Sequence, residues 1–300
     1  MNYKANVLAL STVLIWGSTF AAISASLNGG YSAGHLVLVR YFIASIFFIL
    51  IAILSKNKFK LPTKKDAIKI LILGWIGISI YNIGITFGQL TVTAGTAGML
   101  IGSAPIFTAI IAVVILKERL SFAEWIGLFI GFVGVILISL GTSKMGFIFS
   151  KGVIYVLISA LAVSIFFVYQ KQLLIRYKPI ELTAYFTWAG TIPFFIYSPG
   201  IFDTLQNSTL EANLSAIYVG VFPAAIAYIL WSTALSIGKA SAVTSMIYLE
   251  PAVAVIVAWF WLKELPSSLS IFGGVVALSG VIFMNVMGRI RYNARRPNVS

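Results

Sequence analysis

A single carboxylate lies in the middle of an apolar stretch that is long enough to cross a lipid bilayer. Residues 240–264 read ASAVTSMIYLEPAVAVIVAWFWLKE, with Glu250 near the centre and Pro251 directly after it. A membrane-spanning helix needs about 20 mostly apolar residues, and an acidic group at that depth indicates a function because its burial is costly. A buried carboxyl group can bind and release a proton near neutral pH. Glu250 is therefore a candidate for proton coupling or, alternatively, for a buried polar anchor.

The surroundings of Glu250 depend on how Pro251 changes the helix. On an ideal helix Tyr248 and Glu250 point in nearly opposite directions, so both face one cavity only if the helix is distorted. Proline removes a backbone hydrogen bond and can bend a helix, so we predict hinges at Pro251 and at Pro105, its counterpart in an earlier span. In the anchoring role, the candidate partner of Glu250 is Arg40.

A second group of polar residues follows one face of a predicted helix over residues 67–89. Five of them recur at spacings of four, three, four and three, and the stripe consists of Trp75, Ser79, Asn82, Thr86 and Gln89. A separate stripe of glycines on the same helix allows a neighbouring helix to approach closely. The polar stripe favours a water-filled cavity, and the alternative is a set of hydrogen bonds between helices.

A later span repeats this geometry with different side chains. Tyr228 stands where the earlier span has Asn82, Ser232 replaces Thr86, and Trp231 is adjacent. Aromatic residues opposite a polar stripe suit an aromatic or amphipathic solute. The predicted lining of the substrate pathway is Trp16, Thr19, Ser79, Tyr81, Asn82, Thr86, Phe166, Gln170, Tyr228, Trp231, Ser232 and Tyr248.

The composition is that of a polytopic membrane protein. Of 300 residues, 60% are hydrophobic and 10% are charged, whereas soluble domains have about 25% charged residues. The net charge of +13 lies in loops between apolar runs, which fits the positive-inside rule and not nucleic-acid binding.

Without cysteine the chain can form no disulfide or thiolate metal site, and we predict no catalytic residue, metal or cofactor. We expect the first apolar run to be a retained helix and not a cleaved signal.

Ten apolar runs predict ten transmembrane helices. They cover residues 5–26, 33–55, 67–89, 92–116, 122–141, 152–172, 181–198, 213–235, 241–262 and 268–288. With the amino terminus in the cytoplasm, 17 of the 21 lysines and arginines lie on the cytoplasmic side and 4 on the other. This bias predicts that both termini are cytoplasmic.

An internal repeat divides the chain. With a shift of 146 positions, residues 94–138 align with 240–284 without a gap, and the alignment matches prolines, LKE triplets and glycine pairs. We predict a first repeat of five helices over 1–146 and a second over 147–300, the latter with a short cytoplasmic tail. Because five is odd, the second repeat is inverted in the membrane, as in many secondary transporters. The alignment leaves the register between spans 1 and 6 open.

Several motifs together resemble the EamA-type members of the drug/metabolite transporter superfamily. They are WGSTF in span 1, VRYF at 39–42, APIFTA with LKERL in span 4, and YLEPAVA with WLKEL in span 9. The resemblance covers nearly the whole chain and implies ten helices in two inverted repeats, with a central cavity lined mainly by helices 1, 3, 4, 6, 8 and 9. Arg40 matches the span 2 arginine of the family and Glu250 its LEP glutamate. Many such proteins export amino acids, related metabolites or toxic compounds from the bacterial cytoplasm.

These observations predict a secondary transporter of alternating-access type that exports small organic metabolites, such as amino acids or aromatic compounds. Proton-coupled efflux of drugs or toxic compounds is the alternative within the class, and an intramembrane enzyme or a channel is the alternative outside it. The expected surroundings are the bacterial cytoplasmic membrane, a small-molecule substrate and no nucleic acid. Coupling to protons, and a monomer or a homodimer, stay open.

Overall fold

The regular structure in the described part of the chain is entirely helical. The computed structural model describes residues 3–55, 59–115, 120–142, 150–237 and 246–294. Within these ranges, seven helices are long and apolar enough to cross a membrane: Tyr3–Asn28, Ala33–Leu54, Lys64–Gly88, Ala94–Ile111, Phe122–Gly141, Lys151–Gln170 and Leu210–Trp231. Shorter apolar helices cover Met246–Leu262 and Ser268–Met284. The protein is therefore a multi-pass membrane protein.

The first half forms seven helices in the described residues, some of them segments of one longer helix. They are α1 (Tyr3–Asn28), α2 (Ala33–Leu54), α3 (Lys64–Gly74), α4 (Tyr81–Gly88), α5 (Ala94–Ile101), α6 (Ala104–Ile115) and α7 (Phe122–Thr142). A π-helical segment, Trp75–Ile80, joins α3 to α4. Hydroxyl side chains cap four of these helices, because Ser32, Thr63, Thr93 and Ser121 each accept a bond from a backbone N–H of the first turn.

The second half has a similar order of elements. Its helices are α8 (Lys151–Leu173), α9 (Pro179–Thr191), α10 (Ile201–Asn207), α11 (Leu210–Val221), α12 (Ala227–Ile237), α13 (Glu250–Leu262) and α14 (Ser268–Ala294). A 3-10 turn, Ile192–Tyr197, extends α9, and the π-helical segment Phe222–Ile226 joins α11 to α12. The two π-helical segments lie at equivalent places in the two halves. The short helix α10 lies in a link that the hydrophobic pattern predicts as a loop.

Breaks occur in two spans directly before a proline. The chain leaves helical geometry at Gly102–Ser103, and α6 begins at Ala104 with Pro105 as its second residue. In the second half a 3-10 turn, Met246–Leu249, precedes α13, in which Pro251 is again the second residue. Proline is tolerated in a first helical turn because the N–H that it lacks has no partner there. Movement about these breaks stays a prediction.

Glycines bring α7 and α14 into backbone contact. A Cβ added at Gly134 would overlap the backbone of Ala277, and one added at Gly280 would overlap the backbone of Gly131. A shift of 146 positions converts the first contact into the second, so equivalent residues exchange partners. The small-residue stripes of these two helices therefore pack against each other within one chain.

The same exchange occurs between α2, α3, α9 and α11. A Cβ added at Gly74 would lie 2.9 Å from the Phe186 carbonyl oxygen, and one added at Gly220 would lie 2.9 Å from the Arg40 carbonyl oxygen. Both pairs are again related by the shift of 146. Ser45 and Thr191, which are themselves 146 positions apart, hydrogen-bond to each other at 2.9 Å.

Equivalent contacts of two hydroxyl groups show how α1 aligns with α8 in the internal repeat. Thr12 Oγ1 donates to the Leu8 carbonyl oxygen at 2.9 Å and also lies 3.5 Å from the Ala227 carbonyl oxygen, and Ser159 Oγ donates to the Tyr81 carbonyl oxygen at 2.8 Å. Tyr81 and Ala227 are 146 positions apart, whereas the donors Thr12 and Ser159 are 147 apart. The register of spans 1 and 6, which the sequence leaves open, thus differs by one residue from that of the later spans.

Candidate functional site

Three of the predicted aromatic pathway residues come together where α1 meets α12. The ring of Trp16 lies 5.4 Å from that of Tyr228, edge to face, and 5.5 Å from that of Trp231. The indole N–H of Trp16 donates to the carbonyl oxygen of Pro223 at 3.3 Å. All three rings are half-buried. They form a cluster of π faces, with Trp16 held in place from the π-helical segment before α12.

The polar stripe of the third span divides into two parts. In its lower part, Trp75 Nε1 donates to the Ala189 carbonyl oxygen at 3.1 Å and Ser79 Oγ to that of Gly190 at 2.7 Å. These two side chains therefore join the third span to α9. The predicted alternative, hydrogen bonding between helices, describes this part of the stripe.

The upper part of the stripe is buried but incompletely bonded. Asn82 donates to the Ile78 carbonyl oxygen at 2.8 Å, and Gln89 accepts a bond from Ser24 at 3.0 Å. Asn82 Oδ1, Thr86 Oγ1 and Gln89 Nε2 are buried without a hydrogen-bond partner among the described residues. Since almost all buried polar atoms in proteins are hydrogen-bonded, these three could bind a ligand.

Arg40 is buried in α2 next to this upper part. Its side chain is 5% exposed, and Nε and Nη1 have no hydrogen-bond partner within the described residues. The guanidinium carbon lies 5.3 Å from the centre of the Tyr41 ring, and the Asn82 side chain lies beside the Tyr41 hydroxyl. Arg40 is also within electrostatic range of the phenol groups of Tyr81 and Tyr228.

Glu250 is the first residue of α13, in the second half of the chain, and lies near the same two tyrosines, Tyr81 and Tyr228. Its side chain is half-buried and lies within electrostatic range of Tyr81 and Tyr228. In the part of the chain that the structure describes, no ion pair joins Glu250 to Arg40. The ion pair found there joins Arg176 to Asp66 at 2.9 Å. The arrangement surrounds tyrosine hydroxyls with one cationic and one acidic side chain from different spans.

Other predicted pathway residues lie elsewhere or bond locally. Thr19 is buried and donates to the Ile15 carbonyl oxygen of its own helix at 3.1 Å. Phe166 packs against Gly77 and edge-on against Phe186 at 4.9 Å, which places it in a hydrophobic core. Gln170 is half-buried in α8, Tyr248 is packed against the core, and the side chain of Ser232 lies outside the described residues.

Two polar contacts involve residues outside the predicted pathway. Tyr41 is fully buried beside Arg40, and the hydroxyl of Ser18 hydrogen-bonds that of Tyr218 at 2.6 Å. Adjacent residues of a helix point in different directions, so the position of Tyr41 next to Arg40 in the sequence does not predict that their side chains lie together. In the described residues, no group of three or more histidine, cysteine or acidic side chains could hold a metal ion.

The chain matches known proteins along most of its length. Residues 3–140 and 150–286 each match the EamA-like transporter family. An uncharacterized transporter, YdfC of Bacillus subtilis, is 36% identical, over 94% of this chain and 93% of its own. A probable terminal-alkyne amino-acid exporter of Streptantibioticus cattleyicolor is 32% identical, over 93% of both chains.

More distant relatives agree with these matches. An S-adenosylmethionine uptake transporter of Rickettsia conorii is 23% identical over 90% of this chain and 89% of its own. One crystal structure shares the fold with a TM-score of 0.64 at 17% identity, over 96% of this chain and 99% of the other. The two adjacent family matches and the identities above 30% together establish that this chain belongs to the EamA-like transporter family.

Proposed function

We propose that this small-molecule transporter exports amino-acid-like or aromatic metabolites from the bacterial cytoplasm by alternating access. The observation that carries the proposal is the exchange of contacts between equivalent residues. Gly134 contacts Ala277 as Gly280 contacts Gly131, and Ser45 contacts its own equivalent, Thr191. Such reciprocal contacts are characteristic of a two-fold relation. They support ten spans in two inverted repeats, over 1–146 and 147–300.

The contacts between helices support the same arrangement. The helix α1 packs against α12 and α13, and its equivalent α8 packs against α4 and α6. In an inverted repeat, rocking of one group of helices against the other opens a central site to each side in turn. The aromatic cluster and the tyrosines between Arg40 and Glu250 lie at these contacts, and we propose that they line the pathway.

The names of two relatives and the composition of the site support the proposed class of substrate. Two relatives are named for an amino-acid exporter and an S-adenosylmethionine uptake transporter. The substrates in both names contain carboxyl and amino groups, and the site has a cationic and an acidic residue beside aromatic rings. The positive charge in the loops favours the cytoplasmic location of both termini.

Counterflow in proteoliposomes tests the proposal. Vesicles loaded with unlabelled amino acids, each in turn, should accumulate the labelled solute transiently and saturably if the protein works by alternating access. A channel gives flux that does not saturate and no counterflow, and an enzyme returns a changed product. Absence of saturable counterflow for every amino acid and aromatic metabolite tested would contradict the proposal.

Glu250 is expected to carry the proton that couples transport to a pH gradient. Glu250→Gln keeps the size and hydrogen bonding of the side chain but cannot ionise, so counterflow should persist while accumulation driven by the gradient is lost. Glu211→Gln is the matched control because the Glu211 carboxylate is exposed and accepts a bond from Trp261 at 2.8 Å. If Glu250 serves only as an anchor, gradient-driven transport in Glu250→Gln stays at the wild-type level and the coupling role is excluded.

A further inference from the structure

Buried polar atoms without partners are concentrated in one small region. The described residues contain seven such side-chain atoms, and five of them belong to Arg40, Asn82, Thr86 and Gln89. Arg40 lies on α2, Asn82 and Thr86 lie on α4, and Gln89 directly follows α4; the helices α2 and α4 contact each other. Because buried polar atoms in native proteins are rarely unpaired, such a concentration indicates a place where a ligand supplies the missing bonds.

The charge of Arg40 determines what kind of ligand this is. Removing a guanidinium from water is costly unless an opposite charge compensates it. Among the described residues, the groups near the guanidinium are the Tyr41 ring, on its own helix, and the phenols of Tyr81 and Tyr228, on α4 and α12. None of these carries a full negative charge at neutral pH. The structure also gives no ion pair to Arg40 within the described residues. An anionic ligand at this place would balance the charge of Arg40.

A carboxylate fits this environment better than a phosphate group. Arg40 supplies one positive charge, which balances one negative charge. A phosphate dianion would add a second charge close to the tyrosines that Glu250 approaches. Amide and hydroxyl groups at Asn82, Thr86 and Gln89 extend from this point for about 10 Å along α4, given a rise of 1.5 Å per residue. They can bond further polar groups of the same solute.

The aromatic cluster lies next to the same region. Tyr228 is within electrostatic range of Arg40 and its ring touches that of Trp16. A solute that carries a carboxylate on a short chain and an aromatic ring at the other end could contact both. We propose that Arg40 binds the carboxylate of the transported solute, an inference that rests on the transporter function proposed above.

Binding of matched acids and amides tests this assignment. The probes are 3-phenylpropionate, its neutral amide and 2-phenylethylphosphonate, and the measurement is affinity for the purified protein in nanodiscs. Wild-type protein should bind the acid at least about tenfold more tightly than the amide. Arg40→Gln should lower the affinity for the acid by about tenfold or more and leave that for the amide unchanged. Lys151→Gln, which removes an exposed cation from the start of α8, should change neither.

Several results would overturn the assignment. They are equal affinity of the wild-type protein for acid and amide, no binding of the acid, tighter binding of the phosphonate, and unchanged affinity for the acid in folded Arg40→Gln. If Arg40→Gln does not fold, Arg40→Lys keeps the charge but loses the planar donor group, so the acid should bind more weakly and still better than the amide. An Arg40→Lys protein with no preference for the acid would count against the role.

The two proposals can fail separately. A protein that shows saturable counterflow of neutral solutes and no preference for carboxylates is a transporter in which Arg40 does not bind the substrate. A protein that binds the acid through Arg40 but shows no counterflow keeps the site and excludes the transport mechanism.

Discussion

Replacement of Gly134 with valine should abolish or severely reduce folding of the protein. A Cβ at this position overlaps the backbone nitrogen and Cα of Ala277, and backbone atoms cannot move aside as a flexible side chain can. Overpacking of this kind costs about 3 kcal/mol or more when helices must separate, out of a total stability of about 5–15 kcal/mol. We expect the melting temperature in detergent to fall by on the order of 10 °C, and the monodisperse yield to fall with it.

Phe132→Val on the same helix is the control. The Phe132 side chain is 52% exposed, so it faces the lipid side of α7 and its loss leaves the α7–α14 contact intact. The melting temperature of this variant should stay close to that of the wild type. A Gly134→Val protein that melts like the wild type would contradict the close packing of α7 on α14.

Transport should be largely lost when the aromatic cluster or the upper polar stripe is truncated. Trp231→Ala removes a ring that lies 5.5 Å from Trp16. Asn82→Ala removes a buried amide whose oxygen has no partner in the described part of the chain. If these groups contact the solute, each loss of about 1.4 kcal/mol lowers the apparent affinity about tenfold, and we expect at least that reduction in counterflow at low substrate concentration.

Trp125→Ala separates this effect from a general loss of tryptophan. The Trp125 side chain is 48% exposed on α7, away from the α1–α12 contact. Its replacement should leave counterflow unchanged, and the melting temperatures of Trp231→Ala and Asn82→Ala should fall less than their transport. Normal counterflow in both pathway variants would exclude them from the lining.

Periodicity in the sequence predicts which face of a helix is polar, but not which neighbour covers it. The stripe from Trp75 to Gln89 is one line in sequence, yet Ser79 is bonded to Gly190 and Thr86 has no hydrogen-bond partner among the residues that the structure describes. The difference arises from α9, which crosses only the lower part of the span. For the same reason Phe166, which has the spacing of a pathway residue, lies in a core against Phe186.

Residue types predict where helices break and which helices pack closely, but they do not predict the register between the two halves. Pro105 and Pro251 mark the ends of disrupted segments because proline cannot donate a backbone bond, and the glycine stripes identify the helices that pack most closely. The register between α1 and α8 could not be read from identical residues. It depends on Thr12 and Ser159, two different hydroxyl residues that bond equivalent carbonyl groups.

The direction in which each half crosses the membrane is the most direct test of the inverted repeat. The chain has no cysteine, so single cysteines introduced at Asn57 and Asn207 report on one site each. Asn207 ends α10, in the link between α9 and α11, whereas Asn57 lies outside the described residues, in the equivalent link of the first half. With a membrane-impermeant maleimide on intact cells and on inverted vesicles, Asn207→Cys should label only from outside and Asn57→Cys only from the cytoplasmic side. Labelling of both cysteines from the same side would contradict the inverted repeat and the alternating-access mechanism that depends on it.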